Sequence, residues 1–315
     1  MKNLKKIKGD ASFRKFFRRR KNHYSSIIVF ANKEKFKNLI VYDAINKILI
    51  KNKILAPKLY EENYNENYIE IEDFGNKTIF NEFNKKNTNK FNHYKKIIEL
   101  LVKIQSIKNR KITTFKNKIY SIPKYNNRIL IKEANLFCNW YVKKNFHGSN
   151  MNKFSKEYLK IIKRLTRNLK LKNDIFVHRD FHVSNLMIVN NQTAVIDSQD
   201  ALIGNKAYDL ASLIDDVRLK TSKSFKKKIF NFYLNRQKKI DIYKFKNDFE
   251  ILSILRNLKI IGIFTRLAIR DGKKDYLRLI PYTWELIDLR INESKIFNDL
   301  KKLLIQNFKR KFDAN

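Results

Sequence analysis

His178-Arg179-Asp180-Phe181-His182-Val183-Ser184-Asn185, followed twelve residues later by Asp197, is the stretch whose reading decides the fold. Asp180 and Asn185 stand five residues apart, and Asp197 closes an apolar run. In phosphoryl-transfer chemistry one carboxylate accepts the proton of an attacking hydroxyl. An amide oxygen and a second carboxylate hold the Mg²⁺ that neutralises a triphosphate. The spacing supports that reading. Leu186-Met187-Ile188-Val189, then Asn190-Asn191-Gln192, then Thr193-Ala194-Val195-Ile196 read as strand, turn and strand. Such a hairpin returns Asp197 to the mouth of the loop that carries Asp180 and Asn185. His-x-Asp alone is a weak signal, because short motifs recur by chance. The ordered set of His178, Asp180, Asn185, hairpin and Asp197 is strong. The plainer alternative makes both acids solvated loop residues and Asn185 a turn residue.

Composition bounds the rest. A chain of 315 residues can bury a sizeable core, as one large domain or two lobes. Its 43% hydrophobic content is ordinary for a globular protein, and three Pro and six Gly predict order nearly throughout. No apolar run approaches the roughly 18 residues of a membrane span. The basic start Met1-Lys2-Asn3-Leu4-Lys5-Lys6-Ile7-Lys8 is followed by no apolar stretch, so no secretory signal is expected. Cys138 is the sole cysteine, which excludes an intrachain disulfide and fits a reducing cytoplasm. The net charge of +39 suggests polyanion binding when taken alone. The lysines, however, are dispersed among Asn and Ile along the whole chain. They read as solvated faces that give salt-sensitive stickiness, with no specific nucleic-acid surface.

Residues 12–20 and 24–31 read as two strands with a turn near Lys21-Asn22-His23. A helix with Phe36, Leu39, Ile40, Ala44 and Ile48 on its apolar face runs to about Lys51. Pro57 opens an extended piece, and Tyr68-Ile69-Glu70-Ile71-Glu72 alternates as a strand. Asp73-Phe74-Gly75-Asn76 is a turn and hinge. Beyond it helices are expected at about 91–107, 129–146, 152–170, 206–219, 223–237, 244–270, 273–291 and 294–309. The fold class is α+β: a small N-terminal sheet lobe, residues 1–75, and a larger, mainly helical lobe, residues 76–315, in the two-lobe arrangement of protein kinases. Trp140, Trp284 and Cys138 read as packing residues. His23, His93 and His147 carry no assigned role, and nothing has the Cys/His spacing of a zinc site.

Gly9-Asp10-Ala11-Ser12-Phe13-Arg14 offers small residues and a hydroxyl where backbone N–H groups can approach phosphates. It contains neither G-x-G-x-x-G nor a Walker loop. Glu72 and Asp73 sit where a hinge would present backbone groups to adenine. The strand Ser25-Ser26-Ile27-Ile28-Val29-Phe30-Ala31 lacks the lysine that many kinases use to pair the phosphates. Lys33, Lys35 and Arg14 are the candidates for that cation.

Protein kinases fit poorly. His182 stands where a Lys is usual, Ser198-Gln199 follows Asp197, and no A-P-E element appears. The pattern resembles the aminoglycoside phosphotransferase superfamily, which phosphorylates small molecules on a kinase-like fold. Within it, Gly9 through Arg18 resembles the N-terminal signature of bacterial anomeric amino-sugar kinases, which phosphorylate N-acetylmuramate and N-acetylglucosamine at C1 in cell-wall sugar recycling. Val195 through Gly204, Tyr208 through Leu213, Ile122 through Tyr125, Glu133 through Trp140, Gly262 through Arg266 and Arg270 through Lys273 are similar to the same family. The position of Ser198 is commonly Phe there.

The resemblance implies ATP and Mg²⁺ as cofactors, with Asp180 as base, His182 near the γ-phosphate, and Asn185 and Asp197 on the metal. Gly9, Ala11, Ser12, Phe13, Arg14, Glu72 and Asp73 would border the nucleotide. Glu133, Gln199, Asp200 and Arg270 would meet the sugar. His178 and Asp209 would hold the site's structure. A cytoplasmic enzyme with a small sugar substrate, monomeric or weakly dimeric, is the expectation. Two other readings are an aminoglycoside, choline or other metabolite as acceptor, and a non-catalytic basic nucleic-acid-binding protein on the same fold.

Overall fold

β2 (Lys15–Lys21) carries the adjacent pair Phe16-Phe17 followed by three arginines, and it is paired on both sides in the N-terminal sheet. β2 lies antiparallel to β1 (Leu4–Ile7) and β3 (Tyr24–Phe30). β4 (Leu59–Asn63) and β5 (Tyr68–Glu72) complete a five-stranded sheet in the order β1-β2-β3-β5-β4, with Val29 opposite Ile69. The computed structural model describes residues 4–7, 14–21, 24–31 and 37–309. Helix α1 (Lys37–Lys51) buries Leu39 and Tyr42 in one apolar cluster with Val29, Ala31, Ile69 and Ile71. β1 was not expected from the sequence. Residues 12 and 13 of the expected first strand, and residues 33–36 of the expected helix, lie outside the described residues.

The chain forms two compact units. The first takes Met1–Pro123 and Ile175–Ile203, and the second takes Lys124–Asp174 and Gly204–Asn315. In this division residues 76–123 and 175–203 group with the N-terminal residues.

In the first unit, α2 (Ile79–Phe83) starts at Thr78, whose hydroxyl accepts the Asn81 N–H. α3 (Lys90–Gln105) and a short hairpin of β6 (Lys111–Thr113) and β7 (Ile119–Ser121) follow. β8 (Asn173–Val177) brings the chain back into this unit. β9 (Leu186–Val189) and β10 (Gln192–Val195) then pair antiparallel with Val189 opposite Gln192. The turn is therefore Asn190-Asn191 alone, with φ of 46° and 61°. Two consecutive left-handed residues are what a two-residue hairpin turn requires, and Asn tolerates them. The Ile188 N–H donates to the Lys77 carbonyl at 2.8 Å, which anchors the hairpin.

The second unit is helical: α4 (Asn127–Ala134), a π-helical segment Phe137–Val142, α5 (Lys143–Asn145) and α6 (Gly148–Arg167). β11 (Leu202–Asn205) leads into α7 (Tyr208–Ile214), α8 (Lys223–Asn235), α9 (Ile242–Arg270), α10 (Ile280–Ile291) and α11 (Asn298–Phe308). Three expected helices are corrected. The continuous helix at 129–146 is interrupted by the π segment. The helix at 206–219 stops at Ile214, where Asp215 turns the chain and its carboxylate is taken up by three helices. The helix at 273–291 is a 3-10 stretch followed by α10, whose first turn holds Pro281. Proline lacks the N–H and clashes inside a helix, but suits its start.

Two features hold this unit together. Trp284, Phe137, Tyr141 and Phe308 form an aromatic cluster with ring centroids 5.3–5.9 Å apart. Gly262 on α9 meets the backbone of Leu136 and Phe137 so closely that a Cβ there would lie 2.3 Å from the Leu136 carbonyl. Trp284 is buried as expected, while Trp140 is only half-buried. Burial pushes the Cys138 thiol up to about 12, so it packs and does not react at neutral pH.

Candidate active site

Asp180, His182, Asn185 and Asp197 all belong to the first unit. Asn185 closes the loop between β8 and β9. Its amide nitrogen donates to the Asp180 carbonyl at 3.0 Å and approaches His182 Nε2 at 3.4 Å. Its own carbonyl accepts from Ile196 N–H at 3.0 Å. With the amide nitrogen so engaged, Oδ1 is the acceptor this side chain can offer a ligand. His178 is fully buried, and its Nε2 donates to the Ile196 carbonyl at 3.1 Å. Burial pushes its imidazole down to about 4, so it is neutral at pH 7 and acts as a fixed tie between β8 and the end of β10. Two non-glycine residues flank this machinery in the left-handed region, Arg179 at φ 74° and Asp197 at φ 62°. Each such residue costs about 1–2 kcal/mol relative to a relaxed backbone. The surrounding ties therefore hold both conformations in place.

Asp197 is the electrostatic focus. Its side chain is 33% exposed, and Arg14 ion-pairs with it at 2.8 Å. Burial holds its carboxyl above the usual range. Arg14 opposes that shift, while the charges of Asp180 and Asp200 add to it. Helix α1 supports the arrangement with polar residues at every fourth position. Asn38 accepts from Arg14 at 3.1 Å. Tyr42 meets the Asp197 backbone, and burial together with the Asp197 charge raises its phenol pKa. Asn46 accepts from the Ser198 hydroxyl at 2.6 Å. The sequence reading followed the apolar face of this helix and missed Asn38, Tyr42 and Asn46. Their four-residue spacing within an otherwise apolar helix was the available signal.

Gln199 and Asp200 lie in the turn after Asp197. The Gln199 amide donates to Asp200 Oδ2 at 3.0 Å. Arg179 donates to the Asp200 carbonyl at 3.2 Å and stands 3.6 Å from its carboxylate. Tyr120 on β7 is near enough for Asp200 to add to the effect of burial in raising its phenol to about 12. Arg179 and Tyr120 were not singled out from the sequence.

The hinge residues are engaged structurally. The Glu72 N–H donates to the Lys58 carbonyl at 2.9 Å within the sheet edge. Asp73 accepts from Arg18 at 2.9 Å and from the Gly75 N–H at 2.8 Å. Burial alone would raise the Asp73 carboxyl, but these donors with Ser25 bring it below the usual range. Gly9, Ala11, Ser12 and Phe13, with Lys33 and Lys35, lie outside the described residues; Arg14 is described.

The remaining candidates belong to the second unit. Glu133 accepts from the Tyr125 hydroxyl and pairs with Lys259 at 3.0 Å, so it is an interior tie and not a solvated helix acid. Arg270 is exposed and paired with Asp271 at 2.8 Å. Asp209 is fully buried in the first turn of α7.

Among the described residues no group of three His, Cys, Asp or Glu side chains could enclose a metal ion. The donor set nevertheless suits Mg²⁺. A carboxylate (Asp197) and an amide oxygen (Asn185) are hard oxygen ligands, and Mg²⁺ completes its shell with water and phosphate oxygens. The negative charge of Asp180 and Asp200 acting on Asp197 is what a divalent cation would offset. No helix among the described residues is long and apolar enough to cross a membrane.

The family model described as "Phosphotransferase enzyme family" matches residues 3–243. A protein of Neisseria meningitidis named N-acetylmuramate/N-acetylglucosamine kinase is 26% identical over 86% of this chain and 80% of its own length. A protein of the same name from Pseudomonas putida is 24% identical over 96% of this chain and 88% of its own. Among solved structures, the AMP-bound spectinomycin phosphotransferase APH(9)-Ia superposes with a TM-score of 0.61 at 12% identity, covering 89% of this chain and 92% of its own. At that identity the likeness speaks for the kinase-like fold.

Proposed function

Because the chain belongs to the phosphotransferase enzyme family, we propose that it transfers the γ-phosphoryl group of ATP to the anomeric (C1) hydroxyl of N-acetylmuramate or N-acetylglucosamine. The observation that carries the reading is the closed loop in which Asn185 ties Asp180 to the strand end bearing Asp197. The names of the relatives support the choice of sugar. The nucleotide in the spectinomycin phosphotransferase supports ATP.

In this reading Asp180 orients the sugar hydroxyl and accepts its proton. Transfer passes through a loose transition state with little covalent work for the protein, so positioning and charge dominate. An anomeric hydroxyl is more acidic than other sugar hydroxyls, which lowers the demand on a carboxylate base. Asn185 and Asp197 would hold Mg²⁺, which when bound supplies charge neutralisation at the phosphates. Neutral His178 keeps the Asp197 strand end in register with the catalytic loop. His182 lines the γ-phosphate side, next to Asn185. Gln199 and Asp200, immediately beyond Asp197, are assigned to the sugar. Glu133, tied to Tyr125 and Lys259, and Arg270, paired with Asp271, are the second unit's candidates for the sugar. Discrimination for the acetamido group would come from polar groups left unpaired by a sugar that lacks it.

The test is a panel of N-acetyl sugars with Mg-ATP, each compared with its 1-O-methyl glycoside. The free sugars should give an acid-labile glycosyl phosphate, and the blocked sugars should be inert. Turnover of a 1-O-methyl glycoside, or a 6-phosphate product, overturns the anomeric assignment.

A further inference from the structure

Strand β3 carries no basic side chain, so the cation that pairs the nucleotide phosphates must come from elsewhere. Four basic residues of β2 are otherwise engaged or exposed. Arg18 binds Asp73, Asn76 and the Gly75 carbonyl. Arg19 binds Glu70 at 2.5 Å, while Lys15 and Arg20 are exposed. Arg14 differs from all four. It is 6% exposed, stands immediately before β2, and reaches the Asp197 carboxylate at 2.8 Å. Its guanidinium lies 5.7 Å from the Tyr42 ring centre and 5.9 Å from that of Phe16, and Asn38 accepts its other terminal nitrogen at 3.1 Å. Aromatic faces and a hydrogen bond from α1 thus fix a planar fork beside the residue assigned to Mg²⁺.

We propose that Arg14 is the phosphate-pairing cation of this enzyme, held on Asp197 in the nucleotide-free protein and shared between that carboxylate and the triphosphate once Mg-ATP binds. The chemistry suits arginine in particular. Its guanidinium is charged at any working pH and offers five N–H donors in a plane, so one carboxylate and one phosphate can be served together. A lysine ammonium is a point charge without that fork. The pair also gives the nucleotide-free protein a local counter-charge against Asp197, Asp180 and Asp200. This inference rests on the phosphotransferase reading of the site.

The experiment compares wild type with R14M, R14K, K33M and K35M by calorimetry. The probes are a nonhydrolysable Mg-ATP analogue and adenosine, without sugar. A second readout is thermal unfolding in EDTA and in MgCl₂. R14M should weaken the triphosphate about tenfold to a hundredfold, the worth of a charge-assisted contact, and leave adenosine affinity unchanged. R14K should fall between R14M and wild type. In EDTA, R14M should melt below wild type, and MgCl₂ should restore more of its melting temperature than it adds to wild type. Should R14M fail to fold, R14K carries the test: triphosphate affinity equal to wild type overturns the proposal. So does unchanged affinity in R14M, an equal loss for adenosine, or a loss confined to K33M or K35M. A wild type that shows no Mg²⁺-dependent triphosphate binding overturns the phosphotransferase reading together with this one.

Discussion

Asp197 and Asp215 stand eighteen residues apart in the sequence, and the two units treat them in opposite ways. Asp215 is fully buried. It accepts from Ser253 at 2.6 Å and from Arg290 at 2.8 and 3.1 Å, and it pairs with Lys226 at 3.2 Å. Burial alone would raise its carboxyl, but Arg290 and Lys226 overturn that and hold it well below the usual range. Each of these side-chain bonds joins α7's end to α8, α9 or α10. Asp197 is one-third exposed, sits in a left-handed backbone, and keeps a raised carboxyl despite Arg14. One aspartate is satisfied by its neighbours and stabilises a fold. The other is left in excess negative charge, an arrangement suited to a cation and a nucleotide. A buried carboxylate is thus informative only when its partners are counted.

The largest expected effect separates chemistry from fold. D180N should lower the rate of transfer by about 10²–10⁴-fold while its nucleotide affinity and melting temperature stay near wild type. Steady-state ADP formation with sugar present, alongside calorimetry, measures both. Near-normal turnover would remove Asp180 from the role of base.

D215A should do the reverse. Removing one partner of a buried ion cluster leaves Arg290 and Lys226 uncompensated, at about 3–5 kcal/mol of stability. Denaturant unfolding would register this as a lower midpoint. A variant as stable as wild type would break the contrast between the two aspartates.

A third variant sharpens the contrast with a lesion that carries no charge. G262A gains about 1 kcal/mol of helix propensity. It also sets a methyl group 2.3 Å from the Leu136 backbone, which cannot rotate away. Overpacking of this kind costs about 1–3 kcal/mol, so the clash should win and the melting temperature fall. A rise in melting temperature would show that α9 and the Leu136 segment separate easily.

The smallest effect lies in the pH profile of the Mg²⁺-free protein. The lowered Asp215 carboxyl contributes stability that is fully present above its unfolded pKa, about 3.9. That contribution is lost as pH falls through the native value. The raised Asp197 carboxyl favours the native state below its unfolded pKa, and this is lost as pH rises through the native value. Between pH 4 and 7 the stability of D197N relative to wild type should therefore rise, while that of D215N relative to wild type should stay nearly constant and recover only below about pH 4. Unfolding free energies across this range for each variant would show it, and a D197N difference that falls between pH 4 and 7 would contradict the assignment.

Much of this was legible in the residues. The hairpin that returns Asp197 could be read because Leu186–Val189 and Thr193–Val195 are apolar runs around an Asn-Asn turn. The small sheet with one helix followed from alternation and from helical spacing. What stayed hidden was set by tertiary contact. Nothing local shows that residues 175–203 cluster with the N-terminal sheet, or that Glu133 is held by Tyr125 and Lys259. The polar stripe of α1 was obscured because apolar periodicity marks a core and says nothing of polar residues facing a site. The β6–β7 hairpin was missed because its strands are three residues each. Pro281 did mark the true start of α10, and a stricter reading of proline would have found it.

In this reading Asp197 is kept for function more than for the fold. The most direct measurement is Mg²⁺-dependent ATP binding and thermal unfolding of D197A on the same preparation, beside D215A. D197A should lose the Mg²⁺-dependent part of ATP binding and, in EDTA, melt somewhat below wild type but well above D215A. D197A binding Mg-ATP as wild type does, or melting as low as D215A, would contradict this reading.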